Sequence, residues 1–325
     1  MEKGLVSIVL LNWNGSKFIY DCINSIRHQT YPNIEVIIVD NSSTDGSIQI
    51  IENENPDFNF VKNSENLGYC KGMNMGIAIA RGEFVIPLNY DIVMHEHFVE
   101  ECIKAISCDD KIGVVGGQAY DWIDGKLTNN PQKCCRYVKK YIRSTTVKNN
   151  YSRREPPCVH GSFPFIRKKA LDDLFSFIGE YFDPDFITAW EDLDLWFRFK
   201  LRGWKKIFWP DARVWHFGSA AWNGKKGFVH LPVRFRAMTL RNRHAIIIQD
   251  LPMIIILRFF PLLIVAEIAV VFFFLFKSPS SLKALIQGWK WTLRDFKLMM
   301  EKRKILQGAR TVNIAEIMKM FKDNA

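Results

Sequence analysis

Three short, continuous apolar runs constrain the fold most, each ending in polar residues and each followed by a stretch with helical spacing. Val6-Ser7-Ile8-Val9-Leu10-Leu11 ends in Asn12, Glu35-Val36-Ile37-Ile38-Val39 ends in Asp40, and Phe84-Val85-Ile86-Pro87-Leu88 ends in Asn89-Tyr90-Asp91. A strand with one buried face alternates apolar and polar residues, whereas a strand covered on both faces reads as an unbroken β-branched run. Between the runs, Phe18, Ile19, Cys22, Ile23 and Ile26 recur at helical spacing, a second helix follows Ser47, and a third covers residues 73–80. The pattern predicts an α/β fold with a mainly parallel sheet flanked by helices. Ligands of such sheets sit outside the carboxyl ends of the strands, where Asn12, Asp40 and the Asn89 to Asp91 triplet collect.

Further along, a short strand is expected near Phe60-Val61. Residues 121–157, rich in Asn, Lys and Arg, are expected to form a long loop over the site. Regular structure returns over residues 158–215, around Trp190-Glu191-Asp192-Leu193-Asp194. Residues 253–276 are almost wholly apolar, with 18 Leu, Ile, Val or Phe and interruptions at Arg258, Pro261 and Glu267. Those side chains favour insertion into a bilayer by about 5–8 kcal/mol, and Arg and Glu oppose it by about 2.5–3.5 kcal/mol each. Association with a membrane is therefore expected, as a single span or as a monotopic contact, and a buried helix pair at a homo-oligomer interface is the alternative. Behind this segment, Leu285, Trp289, Leu293, Phe296 and Met300 recur at helical spacing with Lys283, Lys290, Arg294 and Lys297 between them. That is a basic amphipathic helix over residues 282–304, the pattern of an interfacial anchor. The expected division is a catalytic domain over residues 1–230 and a helical membrane-associated region over residues 231–325.

Charge supports the membrane reading. The formal net charge is +10, and residues 277–325 hold 11 Lys or Arg against 4 Asp or Glu. A basic tail behind an apolar stretch suits anionic lipid. No helix-turn-helix, RNP-like or zinc-finger pattern is present, so nucleic acid is not an expected partner. The 7 cysteines form no C-x-x-C pair, which argues against a zinc site or a disulfide framework and for a reducing compartment. The opening apolar run is too short for a signal peptide. The cytoplasmic face of the cell membrane is the expected location.

Three acidic positions carry the chemistry: Asp40, Asp91 and the Glu191-Asp192 pair. A diphosphate held with a divalent cation needs oxygen ligands at a strand end, and a separate carboxylate must accept the proton of an attacking hydroxyl. The same residues also read as a strand-end turn cap at Asp40, a plain β-turn at Asp91, and first-turn residues favoured by a helix dipole at Glu191 and Asp192, with Asp194 paired to Arg198.

The order of motifs adds to this reading. Val6-Ser7-Ile8-Val9-Leu10-Leu11-Asn12-Trp13-Asn14-Gly15, the Asp40-Asn41-Ser42-Ser43-Thr44-Asp45-Gly46 block and Asn66-Leu67-Gly68-Tyr69-Cys70-Lys71-Gly72-Met73-Asn74 come first. Asn89-Tyr90-Asp91, Trp190-Glu191-Asp192-Leu193-Asp194 and Trp215-His216-Phe217-Gly218 follow. Over roughly residues 5–220 this ordered set resembles family-2 inverting glycosyltransferases, nearest the rhamnosyltransferase-like branch. The resemblance implies a GT-A type, Rossmann-like fold and transfer of a sugar from a UDP- or dTDP-sugar, dTDP-rhamnose being the first candidate, to a lipid-linked or polysaccharide acceptor. It implies that Asp40 meets the pyrimidine ring, that Asn12, Gly68 and Asn74 lie with the donor, and that Gly161 brings backbone close to the donor sugar. Asn89-Tyr90-Asp91 stands where the family has Asp-x-Asp, so Asp91 would bind Mg²⁺ or Mn²⁺. Asn89 departs from that pattern and would contact ribose or a metal-bound water. His216 matches a metal ligand found in parts of the family, or is structural. Asp192 matches the catalytic base, with Glu191 orienting it or the acceptor. The competing reading is a non-catalytic nucleotide-sugar-binding scaffold, which the Asn89 departure favours.

Overall fold

The computed structural model describes residues 1–123, 125–131, 156, 159–187, 189–218 and 228–322. Strand β1 (Glu2–Asn12) runs parallel to β2 (Ile34–Asp40) on one side and β4 (Gly82–Asn89) on the other, and β2 runs parallel to β3 (Asn59–Lys62). Beyond β4 the sheet becomes mixed. The short β8 (Phe165–Arg167) is antiparallel to both β4 and β6 (Ile112–Ile123), and β6 is parallel to β9 (Lys205–His216). An edge strand, β5 (Ile92–Met94), pairs antiparallel with β9, completing the order β3-β2-β1-β4-β8-β6-β9-β5.

The unbroken apolar runs have a simple cause: β1 is buried on both faces. Val6, Ile8 and Leu10 pack with Ile19, Ile23 and Ile26 of α1 (Ile19–Arg27) and with Phe98 and Cys102 of α4 (Phe98–Ile106). Val9 and Leu11 face the other layer, which includes α3 (Tyr69–Ile79), α5 (Lys168–Ile178) and α6 (Glu191–Leu201). The helix α2 (Ser47–Glu54) follows β2 and adds Ile48 and Ile51 to the first layer. Helix α3 lies directly on the sheet because of Gly76, where a β-carbon would come within 2.3 Å of Val9 Cγ1.

The loop expected from residue 121 begins later than the sequence suggests. Strand β6 continues to Ile123 and turns back antiparallel into β7 (Lys126–Pro131), with Trp122 opposite Leu127. Gly125 occupies the turn with φ of +74°, a conformation that glycine adopts without strain. The expected loop over residues 132–155 lies outside the described residues.

The C-terminal part is helical, as the periodicity predicts. It comprises α7 (Val233–Ala245), a π-helical turn (Ile246–Asp250), α8 (Met253–Lys277), α9 (Leu282–Gly308) and α10 (Ile314–Lys322). Helix α9 packs against α7 and the π-helical turn. Helix α8 has a mean hydropathy of 2.7 over an 18-residue window, long and apolar enough to cross a membrane.

Candidate active site

The sheet register brings the first site residues together. Asn12 is paired with Asp40, and Leu11 with Asn89, so the three polar strand ends form one rim. Asn12 is fully buried, and its Nδ2 donates to Asp40 Oδ1 at 2.8 Å, to Ser47 Oγ at 2.9 Å and to Ser43 Oγ at 3.1 Å. Its Oδ1 is buried without a hydrogen-bond partner, an uncommon state for a buried acceptor. Asp40 also accepts from the Ser43 N–H at 2.9 Å and the Ser43 hydroxyl at 2.6 Å. Asp40 thus caps the turn after β2 while standing at the rim. Next to it, the Asn41 amide donates to the Gly68 carbonyl at 3.1 Å, which ties the start of α3 to the same edge. Gly68 takes a positive φ of +78° there, against Ile187. Asn74, expected at the nucleotide, is engaged at both ends of its amide: Nδ2 donates to the Phe182 carbonyl at 2.7 Å, and Oδ1 accepts from the Phe182 N–H at 2.8 Å. It braces the segment that leads into α6.

Past the end of β4, Asp91 faces His216 at the end of β9, with 3.5 Å between Oδ2 and Nε2. The β5–β9 pairing sets this approach, because Ile92 is opposite His216. The same oxygen accepts from the Gly218 N–H at 3.1 Å. Burial pushes the Asp91 carboxyl up, but the charge and hydrogen bond of His216, with the backbone donors, outweigh it and hold the group below its ordinary range. His160 stands edge-on to His216, ring centroids 4.9 Å apart, and is stacked on Phe163. Burial first, and the neighbouring His216 second, push the His160 imidazole down to about 3, so it is neutral at pH 7.

No group of three or more His, Cys, Asp or Glu placed to hold a metal occurs among the described residues. Asp91 and His216 nonetheless offer one oxygen and one nitrogen donor at the rim. That set suits Mg²⁺ or Mn²⁺, which takes most of its ligands from water and phosphate, and does not suit a closed zinc cage.

Glu191 and Asp192 open α6. The preceding Ala189 and Trp190 both have positive φ, +62° and +73°, an uncommon conformation for non-glycine residues. Asn242 of α7 donates to the Ala189 carbonyl at 3.0 Å and holds this turn. Asp192 Oδ1 accepts from the Leu193 N–H at 2.7 Å. Burial raises the Asp192 carboxyl to about 6. Burial, then the charge of Asp192, raises Glu191 to about 8, and its Oε2 is buried without a hydrogen-bond partner. A β-carbon on Gly161 would lie 2.6 Å from Asp192 Cβ, so only glycine lets this backbone approach. The Tyr69 hydroxyl donates to the Gly161 carbonyl at 3.3 Å.

The segment 160–162 joins the two halves of the site. His160 meets His216, Gly161 meets Asp192, and the Ser162 carbonyl accepts from the Asn89 N–H at 3.0 Å. Asp91 and Asp192, about a hundred residues apart in the chain, therefore lie on one connected rim. Three participants escape sequence reasoning. Tyr69 sits inside a quoted motif without an assigned role, and His160 stands next to Gly161 with none. Asn242 is marked only by the polar run Arg241-Asn242-Arg243-His244, which stands just before an apolar stretch.

Sheet order, layers and rim are those of a GT-A type fold. The sequence profile described as glycosyl transferase family 2 matches residues 7–175, and the chain belongs to that family. Glycosyltransferase GlyG of Streptococcus pneumoniae is 34% identical over 188 residues, 56% of this chain and 62% of that protein. The poly-β-1,6-N-acetyl-D-glucosamine synthase of Staphylococcus aureus is 26% identical over 214 residues, 65% of this chain and 49% of that one. The chain thus spans between about half and three fifths of these curated relatives. Among solved structures, a mannosyltransferase from Pyrobaculum calidifontis in complex with GDP-Man and Mn²⁺ superposes with a TM-score of 0.51 at 18% identity, covering 98% of this chain and 88% of that one. At that identity the likeness speaks for the fold.

Proposed function

We propose that the protein is a metal-dependent inverting glycosyltransferase. It moves a sugar from a UDP- or dTDP-linked donor, with dTDP-rhamnose the first candidate, to a lipid-linked or polysaccharide acceptor at the cytoplasmic face of a membrane. Residues 1–230 form the catalytic unit and residues 231–325 the membrane-associated one. The observation that carries the reading is geometric: residues 160–162 join the Glu191-Asp192 pair to Asp91 and His216 along one rim. Burial raises both carboxyls of that pair, and the charge of Asp192 raises Glu191 further, which suits a base standing beside a hydrogen-bond donor.

The roles proposed are those the family resemblance implies, and the shared rim supports them. Asp192 accepts the proton of the acceptor hydroxyl as its oxygen attacks the anomeric carbon from the face opposite the leaving diphosphate, which inverts configuration. Glu191 orients the acceptor. Asp91 and His216 would hold Mg²⁺ or Mn²⁺, whose charge would offset that developing on the leaving diphosphate. Asn12, Asp40 and Gly68 line the nucleotide end, Asn89 lies beside the ribose, and Gly161 leaves room for the donor sugar. Asn74 acts by holding Phe182.

A donor panel with the full chain, scored by release of UDP or dTDP with and without Mn²⁺, tests this. Metal-dependent release with at least one donor is expected. Donor binding without release, with every acceptor class supplied, overturns the reading in favour of the scaffold.

A further inference from the structure

Helix α8 is held to the protein body near both of its ends and at Glu267, and that decides how it can meet lipid. Near its start, Ile255 is buried with Leu201 of α6 and Leu306 of α9. Near its end, Val270 and Phe274 are buried with Ala237 and Leu240 of α7 and Leu285 of α9. Helices α8 and α9 therefore lie side by side and antiparallel. Midway, Glu267 accepts from Trp289 Nε1 at 2.7 Å, lies 3.3 Å from His244 Nε2, and is paired with Arg243. Glu267, the acidic interruption of the apolar segment, thus points into the protein body.

Among the described residues, the opposite face is left exposed. Ile254, Leu257, Val265, Ile268, Phe272 and Phe276 are all exposed, and they recur at helical spacing from one end of α8 to the other. Lys283, Lys290, Arg294 and Lys297 of the adjoining α9 are exposed as well. An apolar face this long beside a row of cations complements an anionic lipid interface.

We propose that α8 lies in the plane of the membrane as a monotopic anchor, its Leu257–Phe272 face sunk into one leaflet, and does not cross it; the proposal rests on the membrane-surface location proposed above. At 1.5 Å rise per residue, Ile255 and Phe274 are roughly 28 Å apart, close to the thickness of the hydrocarbon core. A crossing helix would carry the parts of α6, α7 and α9 docked at its two ends to opposite sides of the bilayer. Helix α9 would then run through the hydrocarbon with Lys290, Arg294, Asp295 and Lys297 near its middle, where charges are strongly disfavoured. An in-plane helix keeps every docked contact; Arg258, four residues after Ile254 on the sunken face, reaches the head groups by its long side chain, and Lys277 stands exposed at the C-terminal end.

Topology tests this with the full chain. Inside-out membrane vesicles from cells expressing the Ser280→Cys variant are treated with a membrane-impermeant maleimide, and labelled sites are read by mass spectrometry. Ser280 lies exposed in the turn after α8, and the exposed Cys108 of the catalytic unit is the internal reference. Equal labelling of both positions without detergent is expected. Labelling at position 280 only after permeabilisation, while Cys108 reacts freely, overturns the in-plane arrangement and leaves the membrane location standing. Recovery of the chain in the soluble fraction, as monomer or as a dimer closed over α8, overturns both, while nucleotide release continues to judge the glycosyl-transfer reading separately. Leu257→Asp with Phe272→Asp should lower the membrane-bound share at least tenfold with donor turnover retained; unchanged retention also counts against the proposal.

Discussion

Gly161 and Asp192 meet so closely that a β-carbon on Gly161 would lie 2.7 Å from Asp192 Oδ2. Asp192 Oδ1 is held by the Leu193 N–H, so Oδ2 is the oxygen left to take a proton. Gly161→Ala should displace that carboxylate. Overpacking of this kind costs on the order of 1–3 kcal/mol, so the variant should fold with a lowered melting temperature. Its kcat should fall far more than its affinity for donor, and a kcat equal to the parent's would show that the Asp192 oxygen does not take part.

Asp192→Asn preserves shape and can still accept from the Leu193 N–H, but it removes the base. Transfer should fall on the order of 10²–10⁴-fold, with donor affinity by calorimetry unchanged. Ordinary turnover in this variant would remove the base assignment.

The pH profile of kcat/KM follows from the same pair. Burial raises Asp192 to about 6 and Glu191 to about 8. As the proposed base, Asp192 must be without its proton, so the rate should rise through pH about 6 and level off above it. As the proposed donor to the acceptor, Glu191 must keep its proton, so the rate should decline through pH about 8. The two limbs belong to the pair as a unit. Glu191→Gln separates them: the falling limb should disappear while the rising limb stays near its place. A profile in Glu191→Gln that still falls above pH 8 would assign that limb to another group.

Asp91 and His216 make a prediction that does not depend on turnover. Each should weaken Mn²⁺-dependent donor binding when replaced, Asp91→Ala and His216→Ala alike, by at least the roughly 10–100-fold that loss of an outer-shell partner costs a metal site. Titration of donor with and without Mn²⁺ reads this directly. If His216→Ala binds as the parent does, His216 serves to hold Asp91 and not a cation.

The strand ends were legible in the sequence because both faces of β1, β2 and β4 are buried, which leaves a continuous apolar run and makes the polar residue after it conspicuous. The register then brings Asn12 beside Asp40. The β6–β7 hairpin was not legible, since its residues 121–130 mix polar and apolar types without a regular alternation. Asn74 shows a different limit. Its place in a donor-binding motif suggested ligand contact, but its amide meets the backbone of Phe182, 108 residues away, and sequence spacing carries no sign of that. The support that Asn242 gives to Ala189 is hidden for the same reason.

The ion network behind α6 yields a stability prediction. Arg198, 1% exposed, lies 2.5 Å from Asp194 and 3.6 Å from Glu180. Lys302 of α9 bridges Glu180, Asp183 and Asp185, so the two cations share one patch of buried acids. Removing one member of a buried pair leaves its partner's charge uncompensated, at a cost of about 3–5 kcal/mol. Arg198→Met should therefore lower the melting temperature by roughly 10 °C. Lys302→Met should cost less, because its ammonium is partly exposed and Arg198 remains to face the acids. Arg198 and Asp194 sit on the same helix as Asp192, so the Arg198 variant should also lose turnover below its melting temperature, and Arg198→Lys should recover part of the stability. Equal melting temperatures for Arg198→Met and the parent would mean that the acids of this cluster carry protons and need no cation.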